Sequence, residues 1–495
     1  MAHIMSIDSG TTSVRALLFD EQGRTLGMCQ EEIHQSYPQA GWVEEDPQEI
    51  LEKQISVCRR LLAQCALSAQ EVDAIGITNQ RETLVAWQRS TGQCVYPAIV
   101  WQCRRTEEIC DQITKRGLAP WLHEKTGLIP DAYFSATKMQ WILQNVEGAR
   151  EMAASGELLF GTIDTWLMYA LTGGKVYATD YTNASRTMLF NLQTLDWDEE
   201  LLAFFGVTRD NLPQVQESGS FFGETDPALF GAPIPILAVL GDQQSALFGQ
   251  GCFEKSQAKC TYGTGAFILS NIGEKPLLSK SGLLTTVAWG LQGQTAYALE
   301  GSIFMAGAVL QWLRDNLGLI RKAVDSEGLA RSVPDTAGVY FVSSFQGLGA
   351  PWWENGRRAS LYGLTRKTTA AHIVRAALES VAYRVKDVMS AVEREMGVPC
   401  MFLRADGGMS ANAFLMQFQS DILQIPVCRL KSTEITAQGA AFLAGLTGGI
   451  WKSRQEVARL IEEKERLYPA MDPEQANALY QGWLHALQIE KEKSE

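Results

Sequence analysis

Four short stretches carry side chains suited to phosphate and cation chemistry. Asp8-Ser9-Gly10-Thr11-Thr12-Ser13 ends an apolar run at 3–7 with a carboxylate, followed by a tight turn of backbone N–H groups and hydroxyls. A carboxylate there can face a cation while the turn clamps a phosphate. An ordinary Asx hairpin turn explains the same residues equally well. Gly241-Asp242-Gln243-Gln244 sets a second carboxylate directly after the apolar run 234–240. N-capping of the helix read at 244–249 also explains this Asp. Gly263-Thr264-Gly265 and Asp406-Gly407-Gly408 are glycine turns that let backbone approach a ligand closely. Other familiar chemistries are missing. The five histidines form no H-E-x-x-H pair, and no serine sits in G-x-S-x-G. Gly173-Gly174-Lys175 runs into Val176, so there is no P-loop. No third glycine follows Gly263-Thr264-Gly265, which argues against a dinucleotide-binding oxidoreductase.

The elements around these stretches follow from periodicity. After the first turn, the period of two through Val14, Ala16 and Leu18, then a turn at Asp20-Glu21-Gln22-Gly23, predicts strand, turn, strand, turn, strand. P-loops and Rossmann loops lead from a strand into a helix, whereas this one leads into a second strand. A helix is read at 47–65, with Ile50, Leu51, Ile55, Leu61 and Leu62 on one side, and strands at 75–78, 84–87 and 98–101. A mixed sheet with crossing helices gives the class α/β. After Asp242 the chain starts afresh: strand 259–262, glycine turn, strand 266–271, then strands at 283–288 and 295–299. Two similar halves facing a cleft would explain the repetition. Helices are expected at 303–313, 368–396 and 412–423, and one begins at Asp472-Pro473 with Leu479, Trp483, Leu484 and Leu487 as its packed stripe. Residues 490–495 read as a solvated tail.

Composition narrows the class. The chain has 495 residues, enough for two or three domains of ~100–200 residues each. With 46% apolar and 20% charged residues it is of ordinary globular composition. Lys and Arg total 43 against 56 Asp and Glu, a formal charge of −13. Such a surface repels phosphate backbones and anionic lipid, so neither nucleic acid nor a membrane is expected as partner. The opening Met1-Ala2-His3-Ile4-Met5 lacks a basic, then apolar, leader pattern, and the apolar runs are far shorter than the ~20 residues a bilayer needs. The ten cysteines form no C-x-x-C pair and read as reduced, mostly buried thiols of a cytoplasmic protein.

Taken together, Asp8–Ser13, Gly263-Thr264-Gly265 and Asp406-Gly407-Gly408 resemble the nucleotide-cleft signature of the actin/Hsp70/sugar-kinase superfamily. Within it the chain resembles the FGGY carbohydrate kinases along nearly its whole length. The sharpest stretches are Gly76-Ile77-Thr78-Asn79-Gln80-Arg81-Glu82-Thr83, Val100-Trp101-Gln102-Cys103-Arg104-Arg105-Thr106, Asp180-Tyr181-Thr182-Asn183-Ala184-Ser185-Arg186 and Gly241-Asp242-Gln243-Gln244. The Asn-Gln-Arg-Glu stretch points to the glycerol-phosphorylating branch. The resemblance implies two ribonuclease-H-like (actin-like ATPase) domains, with mixed sheets flanked by helices around a central cleft. Residues 1–249 would take the polyol and phosphates, and 250–495 the nucleotide. The implied reaction is ATP-dependent phosphorylation of glycerol to sn-glycerol 3-phosphate with Mg2+, in glycerol catabolism, by a homodimer or homotetramer.

Residue roles follow from the same likeness. Asp242 matches the general base, and Asp8 and Asp242 face the metal. Thr11, Thr12, Ser13 and Arg15 match phosphate-binding positions, and Thr264, Gly307, Gln311, Gly408 and Asn412 nucleotide-binding ones. Arg81 with its five-donor fork, Glu82, Tyr133, Asp242 and Gln243 would hydrogen-bond the polyol, and Trp101 and Phe267 would wall its carbons. Because adjacent strand residues face opposite ways, Arg81 and Glu82 reach one ligand only if 79–83 is a loop or strand end. Ser9 departs from the Gln of many relatives, at a position read as a backbone turn. Gly231-Ala232-Pro233 stands where some bacterial members bind fructose 1,6-bisphosphate with an arginine, and 218–224 holds no histidine for phosphocarrier control. Both forms of control are expected to be weak or absent. Two alternatives stay open: a kinase of another small polyol or a ketose such as dihydroxyacetone, and a non-catalytic actin-like nucleotide-binding regulator.

Overall fold

Alternating apolar side chains from Ile4 to Leu18 form the first hairpin, β1 (His3–Ser9) and β2 (Ser13–Asp20), with Asp8 opposite Arg15. The Gly10 N–H donates to the Ser13 carbonyl at 3.0 Å and closes the turn. In the computed structural model, which describes residues 2–345, 347–354 and 356–494, β3 (Thr25–Glu32) extends this hairpin. β4 (Ala74–Asn79) lies parallel to β1, and β5 (Pro235–Gly241) parallel to β4. β1 and β4 are buried on both faces, which is why they read as near-continuous apolar runs. Helix Pro47–Gln64 covers one face, its first turn capped by the Asp46 side chain. From the end of β5 runs α1 (Asp242–Gly249).

The second half repeats the plan. β6 (Gln257–Tyr262) and β7 (Ala266–Gly273) form a hairpin around the second glycine turn. With β8 (Leu284–Leu291), β9 (Gln294–Ile303), β10 (Phe402–Asp406), β11 (Val427–Leu430) and β12 (Glu463–Leu467) they make a seven-stranded sheet, ordered β8-β9-β7-β6-β10-β11-β12. β10 is parallel to β6 as β4 is to β1, so each half presents a hairpin beside a parallel strand at the cleft. α2 (Gly307–Asp315) and α3 (Ala413–Leu423) stand at the cleft edge of this half. α4 (Ile435–Thr447) crosses over and packs on β1, β4 and β5 of the first sheet and on α1. Its Ala437, Ala441, Phe442 and Leu443 share one core with Ile4, Ala74, Ala238 and Leu240.

Four local readings are corrected. The helix read at 303–313 begins only at Gly307, because the β7–β9 ladder holds Ile303 opposite Ala266 and carries the strand to that residue. Asp242 is the first residue of α1 and not its cap; Gly241 occupies the cap position. The strand read at 98–101 is Cys94–Ile99, with Trp101 in the turn that follows. At the end of the chain, helix Pro473–Ser494 runs through most of the stretch read as a tail, and Glu495 lies outside the described residues. All ten cysteines are free, eight of them buried. Among the described residues no helix is long and apolar enough to cross a membrane.

Candidate active site

β4 ends at Asn79 and the chain turns, so Gln80–Thr83 is a loop buried in the cleft floor. Glu82 takes a left-handed φ of 62°, unusual for a non-glycine residue and the reason Arg81 and Glu82 both point inward. The backbone is pinned there: Lys138 Nζ donates to the Glu82 carbonyl at 3.2 Å and to that of Tyr133 at 2.6 Å, and Ser135 Oγ adds 3.0 Å to Glu82. Lys138 is fully buried, and burial pushes its ammonium down to about 8.

Arg81 stands at the centre. Its Nε lies 3.2 Å from Asp242 Oδ1. Its two Nη groups bind Glu300 bidentately, at 2.6 and 3.1 Å, and reach Gln244 Oε1 at 3.2 Å and the Tyr133 hydroxyl at 3.3 Å. The donor fork expected to face the polyol is therefore turned onto Glu300, and the Nε edge is left beside Asp242. Glu82 Oε1 accepts from Arg186 Nε at 2.6 Å, and Arg186 Nη2 donates to Glu300 at 2.9 Å. Burial opposes the charge on Glu300, but Arg186 and Arg81 overcome it and hold the carboxyl at about 2. Burial raises the carboxyls of Glu82 and Asp242 above their ordinary values; Arg186 and Arg81 work against this at Glu82, Arg81 and Lys259 at Asp242. Gln243 accepts a short hydrogen bond from the buried Lys259, whose ammonium is lowered by burial despite the nearby Asp406.

Trp101 meets Tyr133 edge-on at 5.6 Å and Phe267 at 6.4 Å, forming an apolar corner. The Trp101 Nε1–H donates to Thr11 Oγ1 at 3.0 Å, tying this corner to the first glycine turn. In that turn Thr11 and Ser13 are half-buried and Thr12 is exposed. Asp8, 3% exposed, is in close contact with Arg15, whose other Nη lies 2.7 Å from Glu434 at the start of α4. Burial raises the Asp8 carboxyl, with Arg15 opposing.

Across the cleft Thr264, Gly307, Gln311, Gly408 and Asn412 all line one cavity of about 390 Å³, joined by Arg314, Val324 and Glu327. The second glycine turn packs on α2: the Ala306 and Ala308 N–H groups donate to the Thr264 carbonyl at 2.9 and 3.1 Å. Gly407 has φ +82°, and a Cβ there would lie 2.5 Å from the Tyr262 carbonyl oxygen, so its glycine serves packing against β6. Nothing lies within 4 Å of a Cβ built on Gly408, which leaves the room the nucleotide reading needs. Asn412 also caps α3, accepting from the Leu415 N–H at 2.9 Å.

Among the described residues no three His, Cys, Asp or Glu side chains form a cage for a metal ion. Asp8 and Asp242 are hard oxygen donors, and Mg2+ is commonly held by one or two carboxylates plus substrate phosphates and water; the donor set fits that ion. Sequence reasoning missed Glu300, Lys259 and Lys138, and quoted Arg186 without a role. Their signal was available: a single charge inside an apolar strand or helix face, as in Tyr297-Ala298-Leu299-Glu300.

Comparison with known proteins completes the picture. The N-terminal domain model of the FGGY family of carbohydrate kinases matches residues 3–249, and the C-terminal domain model residues 258–447. The chain is 56% identical to a glycerol kinase of Carboxydothermus hydrogenoformans, with 98% of this chain and 97% of that one covered. It is 52% identical to glycerol kinase 2 of Thermotoga maritima, with 98% of each covered. A crystal structure of Plasmodium falciparum glycerol kinase with ADP superposes with a TM-score of 0.94 at 36% identity, covering 99% of this chain and 98% of that one. A xylulose kinase of Lactobacillus acidophilus shares the fold, with a TM-score of 0.90 at 21% identity, 100% of this chain and 99% of that one. A repeated hairpin-and-parallel-strand plan around a cleft, with carboxylates at its strand ends and matches of this extent, has one reading: the chain belongs to the FGGY family of carbohydrate kinases.

Proposed function

We propose that this chain transfers the γ-phosphoryl group of ATP to glycerol, giving ADP and sn-glycerol 3-phosphate. The observation that carries the reading is the group of polar side chains around Arg81. There one guanidinium edge and the Asp242 carboxylate, 3.2 Å apart, adjoin the Trp101, Tyr133 and Phe267 corner. Three carbons with three hydroxyls offer little apolar surface, so hydrogen-bonding groups must select them. The relatives named glycerol kinase, at 52–56% identity over nearly the whole chain, support the same substrate.

Asp242 would take the proton of the attacking hydroxyl, and its raised carboxyl makes it a stronger base than an ordinary aspartate. Arg81, Glu82, Tyr133 and Gln243 would orient the polyol against Trp101 and Phe267. Thr11, Thr12, Ser13 and Arg15 would hold the phosphates from the first hairpin, with Thr264, Gly307, Gln311, Gly408 and Asn412 around the nucleoside. Mg2+, held by Asp8 and Asp242 with the phosphates, would neutralise charge on the transferring group when bound. Closure of the cleft would exclude water, which otherwise competes as acceptor. The setting is cytoplasmic, and the assembly a homodimer or homotetramer that light scattering would size. Control by fructose 1,6-bisphosphate is weak or absent on this reading, and clear inhibition at millimolar concentration would refute that part.

The test is ADP release from Mg·ATP with glycerol, dihydroxyacetone, erythritol, xylulose and gluconate in parallel, with Asp242→Asn as control. Turnover dominated by glycerol and lost in the variant supports substrate and base together. Turnover dominated by another acceptor overturns glycerol as substrate. Nucleotide binding with no turnover on any of them favours a non-catalytic regulator.

A further inference from the structure

We propose that Glu300 is a positioning residue for polyol recognition, acting across the cleft through Arg81. Arg81, Glu82 and Arg186 belong to the first half of the chain, while Glu300 comes from β9 of the second. Glu300 is fully buried and its carboxylate is shared by both arginines: Arg81 Nη1 at 2.6 Å, Arg81 Nη2 at 3.1 Å, Arg186 Nη2 at 2.9 Å.

Counting donors shows the consequence. The two Nη groups of Arg81 carry four N–H bonds, and four acceptor contacts take them: two to Glu300, one to Gln244 and one to Tyr133. Only the Nε edge, beside Asp242, is left to address a ligand hydroxyl. A bidentate carboxylate fixes the plane of a guanidinium, and fixing the plane fixes where Nε–H points. Without that fork Arg81 is free to swing its Nη groups onto Asp242. Glu300 therefore sets both the direction of the donor and its separation from Asp242. Because it comes from the other half, the polyol pocket is complete only when the halves are packed together.

This inference rests on the proposed polyol kinase activity, and the experiment keeps the two apart by reading binding without turnover. Calorimetric titration with glycerol, dihydroxyacetone, erythritol and xylulose, in the absence of nucleotide, gives Kd for wild type, Glu300→Gln, Glu300→Asp, Arg81→Lys and Glu300→Gln/Arg81→Lys; ADP affinity is measured on each as reference. Glu300→Gln is expected to weaken the best-bound polyol about tenfold or more while ADP affinity stays within about twofold, with Glu300→Asp in between. In the Arg81→Lys background, where no fork exists, Glu300→Gln should change the polyol Kd by less than about twofold. Additive effects of the two substitutions, an unchanged polyol Kd in Glu300→Gln, or equal losses for polyol and ADP would each overturn the proposal. So would a wild type that binds no polyol. If Glu300→Gln does not fold, Glu300→Asp is read by the same criteria. A wild type that binds and phosphorylates a polyol other than glycerol defeats the substrate reading alone, and Glu300 is then judged on that polyol.

Discussion

At Asp242 one carboxylate contacts Arg81 from one half and feels the charge of Lys259 from the other, and burial still raises its proton affinity. Replacing it by Asn keeps shape and removes the base, so kcat is expected to fall about 10²–10⁴-fold with nucleotide affinity retained. A variant with kcat within tenfold of wild type would exclude Asp242 as base. Glu45 offers a test by pH. It is 2% exposed and accepts from Gln35 at 2.9 Å and from Gln80 at 2.7 Å; Gln80 in turn reaches the Gly10 carbonyl at 3.2 Å. Burial raises its carboxyl to about 7 despite these two hydrogen bonds. Between an unfolded value near 4.5 and the folded value near 7, the native state holds a proton that the unfolded chain has lost. Its stabilising contribution is complete below the lower value and is lost as pH rises through the upper one, by up to about 3 kcal/mol. Glu45→Gln should flatten that slope in denaturant titrations at pH 5, 6, 7 and 8; a stability difference constant across this range would refute it. Residue types and order drew attention to Asp8 and Asp242, and the family resemblance nominated Arg81, Glu82 and Trp101. Glu300 and Lys259 escaped because an isolated charge in a strand names no partner until another element is packed against it.

At the scale of elements, α4 carries the sharpest test. Gly439 lies inside a helix, where Ala is favoured over Gly by ~1 kcal/mol on propensity alone. A Cβ there would lie 1.9 Å from the Ser245 carbonyl oxygen of α1, and backbone cannot swing aside as a side chain end would. Overpacking should outweigh propensity, so Gly439→Ala is expected to destabilise by about 1–3 kcal/mol and lower the melting temperature. An unchanged or higher melting temperature would show that the two helices separate without cost. The strand–turn–strand units were legible in the sequence because side-chain alternation and the glycine turns agree. The start of α2 was misread for the opposite reason: residues 303–306 suit a helical stripe, but the β7–β9 ladder claims Ile303 first.

For the whole molecule we propose a division of labour at residue 249, with polyol and phosphates held before it and nucleotide after it. Packing does not respect that line. α4 supplies the cover for Ile4, Ala74, Ala238 and Leu240, and the Arg81–Glu300 and Arg15–Glu434 pairs cross between the halves. Residues 1–249 produced alone should therefore be insoluble and should be recovered on co-expression with 250–495; a soluble fragment with a cooperative thermal transition would refute this. The sequence by itself determined the class, the two repeated hairpins, the strand-end carboxylates and the absence of a P-loop or nucleophile elbow, because these depend on local periodicity and on residue types at short spacing. Only the tertiary structure decided that α4 closes the opposite sheet and that the Arg81 fork is bound by Glu300. Those depend on contacts between residues far apart along the chain, and local pattern carries no record of which distant partner will share a buried charge.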